Sequence, residues 1–263
     1  MRRVVLVRVF AGVFALVLGC SGARAADPIT IGFGMALTGQ IAANGRAALI
    51  AMKLWEEDIN KAGGLLGRPV KLVYYDDQSS PPTVPGIYTK LLDVDKVDLV
   101  VSGYGTNVTV PAMPVVMEHK RLFMTLFALG VNADFKYGRF FGMLPAGPSA
   151  DARRAFSKGF FETAAAMNPP AKTLAIAGTD AESSRNAIEG ALANAKAAGM
   201  QVVYNQSYPP TTNDYSPIIR AIQARHPDAV YFATYPGDSV GLVNALHEVG
   251  MKARLVGGNM VGL

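Results

Sequence analysis

The chain reads as an α/β protein built on parallel sheets. Three observations predict this class: half of its 263 residues are apolar, short β-branched and aromatic runs alternate with longer stretches of helical periodicity, and that alternation restarts near residue 145. An apolar share of this size in a chain of this length allows one large domain or two of medium size.

The first series opens with a strand over 29–35. A helix follows over 44–62, in which Ala48, Met52, Trp55 and Ile59 recur at helical spacing while Lys53, Glu56, Glu57 and Lys61 take other faces. Gly63 and Gly64 stop it. Strands are expected over 70–76, 98–102 and 122–126, with helices over 84–94 and 109–119 between them. The second series begins after a strand over 140–144. It runs through helix 149–167, strand 173–177, helix 182–198, strand 201–208, helix 215–225, strand 229–234, helix 238–249 and strand 254–256. Pro145, Gly147 and Pro148 sit at the restart, where such backbone punctuation lets a chain cross between two lobes. One continuous doubly wound sheet with a loop at that place fits the same pattern.

The amino-terminal segment predicts export. Arg2 and Arg3 precede an apolar run over 9–18 and then small residues, the pattern of a secretory signal peptide. The run is too short to span a bilayer, Arg8 and Arg24 lie close on either side, and no later stretch approaches the roughly 20 apolar residues a spanning helix needs. Two cleavage sites compete. Ala23-Arg24-Ala25 would leave Ala26 first, whereas Val17-Leu18-Gly19-Cys20 resembles a lipobox that would leave a lipidated Cys20; the former ranks ahead. Cys20 is the only cysteine, so cleavage after Ala25 removes any possibility of a disulfide.

The net charge of +5 belongs largely to that leader, whose four arginines and no acids account for four of the 25 basic residues. The remaining 21 face 20 acidic residues, which is not the electrostatic footprint of a nucleic-acid binder. Catalytic signatures are missing too. Gly32-Phe33-Gly34 could begin a dinucleotide fingerprint, yet Leu37 stands where the third glycine belongs and no acidic partner follows at the right spacing. The pair of glycines reads instead as a close approach to a ligand or to another backbone. No G-x-S-x-G, P-loop, H-E-x-x-H or C-x-x-C occurs, and His119, His226 and His247 lack metal-ligand spacing. No enzyme, cofactor or metal is expected.

A binding site is better supported. In residues 100–112 a buried strand opens into Gly103, Tyr104, Gly105, Thr106 and Asn107 before the next helix. Accessible backbone N–H groups, a hydroxyl and a helix N-terminus suit a carboxylate, although any α/β turn also favours glycine and a capping Thr or Asn. A second loop, 127–132, follows the next strand and would lie beside the first at the sheet edge where open α/β sheets bind ligands. Tyr235, Pro236, Gly237 and Asp238 follow strand 229–234 and could face these loops; the plainer reading is a turn with Asp238 as helix N-cap.

The stretches ITIGFGMALTGQIAANG and AMKLWEEDINKAGGLLGRPVKLVYYDDQSSP, the latter with a helix ending in I-N-x-x-G-G and a strand ending in Y-D-D, resemble the leucine/isoleucine/valine-binding proteins of bacterial uptake transporters. VDKVDLVVSGYGTNVTVPAMPVV, PDAVYFATYPGD and VGGN follow in that family's order. The resemblance implies two Rossmann-like lobes of the type I periplasmic binding fold, over 26–145 and 146–256 after a signal peptide at 1–25. They would close on a small-molecule ligand and deliver it, from the periplasm and as a monomer, to the permease subunits of an ABC transporter. It implies a ligand carboxylate at Thr106 with Tyr104 and Asn107 nearby, further contacts from Ala128 and Gly130, and an aromatic contact from Tyr235. In the amino-acid binders an acidic residue near the position of Asn259 takes the ligand ammonium. Here a neutral amide stands there, Ser183 replaces a common aromatic, and Asn44 replaces another. The ligand expected is therefore a small carboxylate or amide-like solute, with a branched-chain amino acid second. Residues 257–263 would begin a return crossing to the first lobe that family members continue, so the fold is expected to be incomplete at its C-terminal end. A sensing domain of the same fold and a nucleotide-dependent oxidoreductase are the competing readings.

Overall fold

The computed structural model describes residues 27–144 and 151–259. The expected signal peptide with Cys20, the punctuation at Pro145, Gly147 and Pro148, and the last four residues lie outside the described residues.

The chain forms two separate parallel sheets rather than one continuous sheet. The first comprises β1 (Ile29–Met35), β2 (Val70–Asp76), β3 (Leu99–Val101), β4 (Phe123–Thr125) and β5 (Phe140–Gly142), in the order β2-β1-β3-β4-β5. The second comprises β6 (Thr173–Thr179), β7 (Gln201–Tyr208), β8 (Ala229–Ala233) and β9 (Leu255–Gly258), in the order β7-β6-β8-β9. Parallel pairing requires crossovers, and helices supply them on both faces. In the first lobe these are α1 (Ala42–Lys61), α2 (Val84–Thr89, prolonged by a π turn at Lys90–Val94), α3 (Thr106–Thr109), α4 (Met113–Glu118) and the short α5 (Val131–Phe135). The second lobe contributes α6 (Ala152–Ala166), α7 (Glu182–Ala197), α8 (Ser216–Gln223) and α9 (Pro236–Val249).

Most departures from the expected elements have a local cause. The single helix expected over 109–119 starts earlier and divides into α3, a 3-10 turn at Val110–Ala112 and α4. Pro111 and Pro114 are the second residues of the latter two, where the missing proline N–H breaks the regular ladder. Helix α5 was not expected; its five residues lie between two left-handed residues, Gly130 and Lys136, too short to show periodicity. Strand β9 reaches Gly258, with Gly257 and Gly258 registered against Tyr231 and Phe232. These two glycines therefore extend the second sheet rather than beginning a crossing.

Each sheet is the middle of its core. In the second lobe, Leu174, Ile176 and Tyr231 pack with α6 and α7, while Ala175, Val230 and Phe232 pack with α8 and α9. In the first, Phe33, Met35 and Leu72 face Leu49 of α1, and Val100 and Phe123 face Tyr88, Leu91 and Met113. The close backbone approach at the end of β1 depends on Gly103, whereas Gly32 makes room for side chains and Gly34 has ordinary space. A Cβ on Gly103, after β3, would lie 2.2 Å from the Gly34 carbonyl oxygen, and one on Gly32 would lie 2.8 Å from Val97. This crowding brings the loop after β3 against the end of β1. Among the described residues no helix is long and apolar enough to cross a membrane.

Candidate functional site

The carboxyl ends of β3 and β4 are tied together by small hydroxyl residues. Ser102 Oγ accepts the Leu126 N–H at 2.9 Å, and Thr106 Oγ1 accepts the Leu129 N–H at 2.8 Å. Thr106 is only 2% exposed, so its bond fixes the two loops against each other. Gly105, at φ 111°, makes the turn into α3, a conformation that disfavours any side chain. The turn presents Tyr104, whose ring packs against Phe127 with centroids 5.1 Å apart and whose hydroxyl accepts from Asn44 Nδ2 at 3.3 Å.

The second lobe answers with the ends of β8 and β9. Tyr235 precedes Pro236, the first residue of α9, and its hydroxyl accepts from Ser183 Oγ at 2.9 Å. Gly258 places Asn259: a Cβ there would lie 1.9 Å from the Phe232 carbonyl oxygen, which instead accepts the Asn259 N–H at 3.0 Å. The Asn259 side-chain oxygen accepts from Tyr231 at 2.8 Å. Asp238 is not the N-cap expected from sequence. Tyr235 holds that position, and Asp238 lies inside the first turn, buried, accepting hydrogen bonds from Thr179 and from Tyr215 at 3.2 Å. The helix begins two residues earlier because Pro236 already has the backbone angle a first turn needs.

Between these walls lies a cavity of about 550 Å³, within the size range of small-molecule sites. Asn44, Tyr104, Gly105, Thr106, Phe127 and Leu129 line it from the first lobe; Phe156, Ser183, Thr234, Tyr235, Pro236 and Asn259 line it from the second, with Leu144 between. No charged side chain is among them. Burial raises the pKa of the Tyr104 and Tyr235 phenols, so both are protonated donors at neutral pH. The lobes touch beside the cavity: Asn186 Nδ2 donates to the Leu129 carbonyl at 2.8 Å, and Arg153 bridges Asp134 at 2.8 Å and Glu189 at 2.9 Å.

Of the residues singled out from sequence, Tyr104, Thr106, Tyr235 and Asn259 meet at this cavity, as do Asn44 and Ser183. Three others do not. Asn107 lines a neighbouring cavity of about 500 Å³, and its Oδ1 is buried with no partner among the described residues. Ala128 is turned into the first-lobe core, which leaves its neighbours Phe127 and Leu129 to face the cleft. Gly130 is left-handed, and a Cβ there would strike Arg153 of α6, so its place in the loop is against a helix. Phe127, Leu129, Leu144 and Phe156 were missed. Phe156 belongs to the apolar pattern of α6, and nothing in that pattern separates a cleft-facing ring from a core one.

Two parallel α/β lobes thus meet over a cavity of small-molecule size whose described lining is uncharged. A family model described as periplasmic binding protein matches residues 28–262, and the chain belongs to that family, which is one of binding proteins rather than enzymes. Among curated relatives, the Leu/Ile/Val-binding protein homolog 3 of Brucella melitensis is 27% identical over 245 residues, covering 93% of this chain and 64% of its own length. Among solved structures, LivJ of Streptococcus pneumoniae in complex with isoleucine superposes with a TM-score of 0.74 at 20% identity, covering 88% of this chain and 64% of that one. A solute-binding protein of R. palustris in complex with 4-hydroxybenzoate gives a TM-score of 0.73 at 21% identity, covering 90% of this chain and 63% of that one. The chain thus spans somewhat less than two thirds of the length of each.

Proposed function

We propose that this chain is the periplasmic solute-binding component of an ABC importer, which captures a small carboxylate or amide-like solute between its lobes and passes it to the permease subunits. The lobes assigned to this capture run over 26–145 and from 146 to Gly258. The observation that carries the reading is the cavity itself, whose walls come from both lobes and carry aromatic rings and neutral polar groups but no charge. Without a lining carboxylate, an ammonium group would be stripped of water with no ion-pair partner, a loss of about 2 kcal/mol or more. Amino acids therefore rank second, although the relatives' names point to them. A carboxylate finds donors in Thr106 and Tyr104. Of the two structural neighbours, the one named with an amine-free aromatic acid matches this lining better than the one named with isoleucine.

Thermal unfolding against a panel of amino acids, aliphatic and aromatic carboxylates and short amides tests the reading. A solute at about 100 times its Kd stabilises the fold by roughly 2.7 kcal/mol, a rise in Tm of about 2–4 °C. A rise confined to carboxylates or amides is expected. A cooperative transition that no member of the panel moves would contradict capture of this kind.

A further inference from the structure

We propose that the cleft cavity selects a carboxylate carrying a second oxygen group and no amine, and that Asn44 and Ser183 are positioning residues that impose this polarity. The inference rests on the solute-capture reading and deepens it. A hydroxyl has one proton and can also accept, whereas an ammonium has only donors. Tyr104 already accepts from Asn44, Tyr235 from Ser183, and Thr106 from the Leu129 N–H. Each oxygen has thus been supplied with a donor by the protein, and its own proton is uncommitted. Asn259 is in the matching state: Tyr231 occupies its carbonyl oxygen, which leaves the amide N–H groups. The walls therefore offer four uncommitted donors, Tyr104 and Thr106 from the first lobe and Tyr235 and Asn259 from the second.

The acceptor side is poorer. Ser239 Oγ gives its proton to the Tyr235 carbonyl at 3.1 Å, so in the 2.6 Å contact between Thr234 and Ser239 the proton comes from Thr234. Thr234 Oγ1 keeps a free lone pair, and Asn44 Oδ1 and Ser183 Oγ, whose residues donate to the two tyrosines, are the other neutral side-chain acceptors of the lining. None of these neutral oxygens gives an ammonium the ion pair it needs, since no carboxylate is in the lining, and an unpaired buried charge is disfavoured. A carboxylate answers the first-lobe donors. A hydroxyl, carbonyl or second carboxylate answers Tyr235 and Asn259, and a hydroxyl there can also give its proton to Thr234. Phe127, packed on Tyr104, and Phe156 suit a flat or branched apolar body between the polar groups.

Calorimetric titration of the purified protein with 4-hydroxybenzoate, benzoate, 4-(aminomethyl)benzoate and leucine tests this. 4-Hydroxybenzoate is expected to bind at least roughly tenfold more tightly than benzoate, and both compounds bearing an ammonium more weakly still. Ser183→Ala is expected to shrink the 4-hydroxybenzoate-to-benzoate ratio several-fold at unchanged Tm, and Ser183→Thr to restore it; Asn44→Leu is expected to weaken both acids alike. Tight leucine or aminomethylbenzoate binding would overturn the polarity rule while leaving solute capture standing. Failure of all four to bind would overturn the polarity rule, and solute capture would fall with it only if no member of the wider thermal panel moves the Tm. A ratio unchanged in Ser183→Ala removes Ser183 from the positioning role.

Discussion

Two cavities lie side by side between the lobes, similar in volume at about 550 and 500 Å³ and opposite in chemistry. The first is walled by aromatic rings and neutral hydroxyls. The second contains Asp180, Glu182 and Arg185 together with Ser79, Ser80 and Asn107. Between them stands an apolar partition in which Tyr235 packs on Ala36 and Ile41, with Tyr104 on the side of the uncharged cavity and Ala181 on the side of the charged one. In the charged cavity the guanidinium of Arg185 is already spent on Asp180 and Glu182, each at 2.7 Å, and is well exposed. In the uncharged one Thr106, Thr234 and Tyr235 are buried, Asn44, Tyr104, Ser183 and Asn259 are half-buried, and these groups hold hydrogen-bonding capacity in reserve. Volume alone does not distinguish a binding site; uncommitted polar groups set among apolar walls do.

Four substitutions break or sharpen this contrast. The largest effect is expected from Tyr235→Ala, which opens the partition and removes a buried ring: stability falls by about 3–5 kcal/mol, and affinity for the cleft solute falls beyond the reach of calorimetry. Thr106→Val comes next. It keeps the shape but deletes both the acceptor for the Leu129 N–H and the donor to a ligand, so binding weakens roughly tenfold and stability drops about 1–3 kcal/mol, with the protein still folded in circular dichroism. Unchanged affinity in that variant would remove Thr106 from the site.

The third concerns the loop beneath the charged cavity. Asp77 is buried, and desolvation pushes its carboxyl up to about 6, against the lowering effect of the Ser79 N–H it accepts. Its folded pKa lies above its unfolded one, so the folded state holds the extra proton between about pH 4 and 6. Stability from this group therefore falls as pH rises through that window, and the penalty is complete above it. Asp77→Asn is expected to raise stability at pH 8 by roughly 1–3 kcal/mol and to change it little at pH 4, as read from urea unfolding at the two pH values. Arg185→Gln should do least. Its exposed ion pairs contribute at most about 1 kcal/mol, and cleft affinity should stay within twofold in titration.

Much of the fold was legible because periodicity and punctuation agree in it. Strands β1, β2 and β7 have the bounds the sequence predicts, since each carries β-branched and aromatic residues and ends near turn residues. The proline-broken α3–α4 segment and the five-residue α5 were not, because neither carries a full helical repeat. Around the candidate cavity, the shared place of Tyr104, Thr106, Tyr235 and Asn259 was readable from strand ends or through resemblance. Phe127 and Leu129, rather than the expected Ala128 and Gly130, line the cavity, since loop residues alternate in direction and no sequence feature fixes the phase. Asn107 went to the charged side because it enters α3, where the turn rotates it away from Tyr104. The partnership of each tyrosine with Asn44 or Ser183 is a tertiary fact: the partners lie 60 and 52 residues apart.

The defining property of the uncharged cavity is that it takes a carboxylate free of an amine. Leucine and 4-methylpentanoate share a skeleton and differ only in the ammonium group, so paired calorimetric titrations isolate that group. Saturable one-site binding of 4-methylpentanoate, with leucine at least roughly tenfold weaker, is the predicted result. Tight leucine binding with none of 4-methylpentanoate would contradict it.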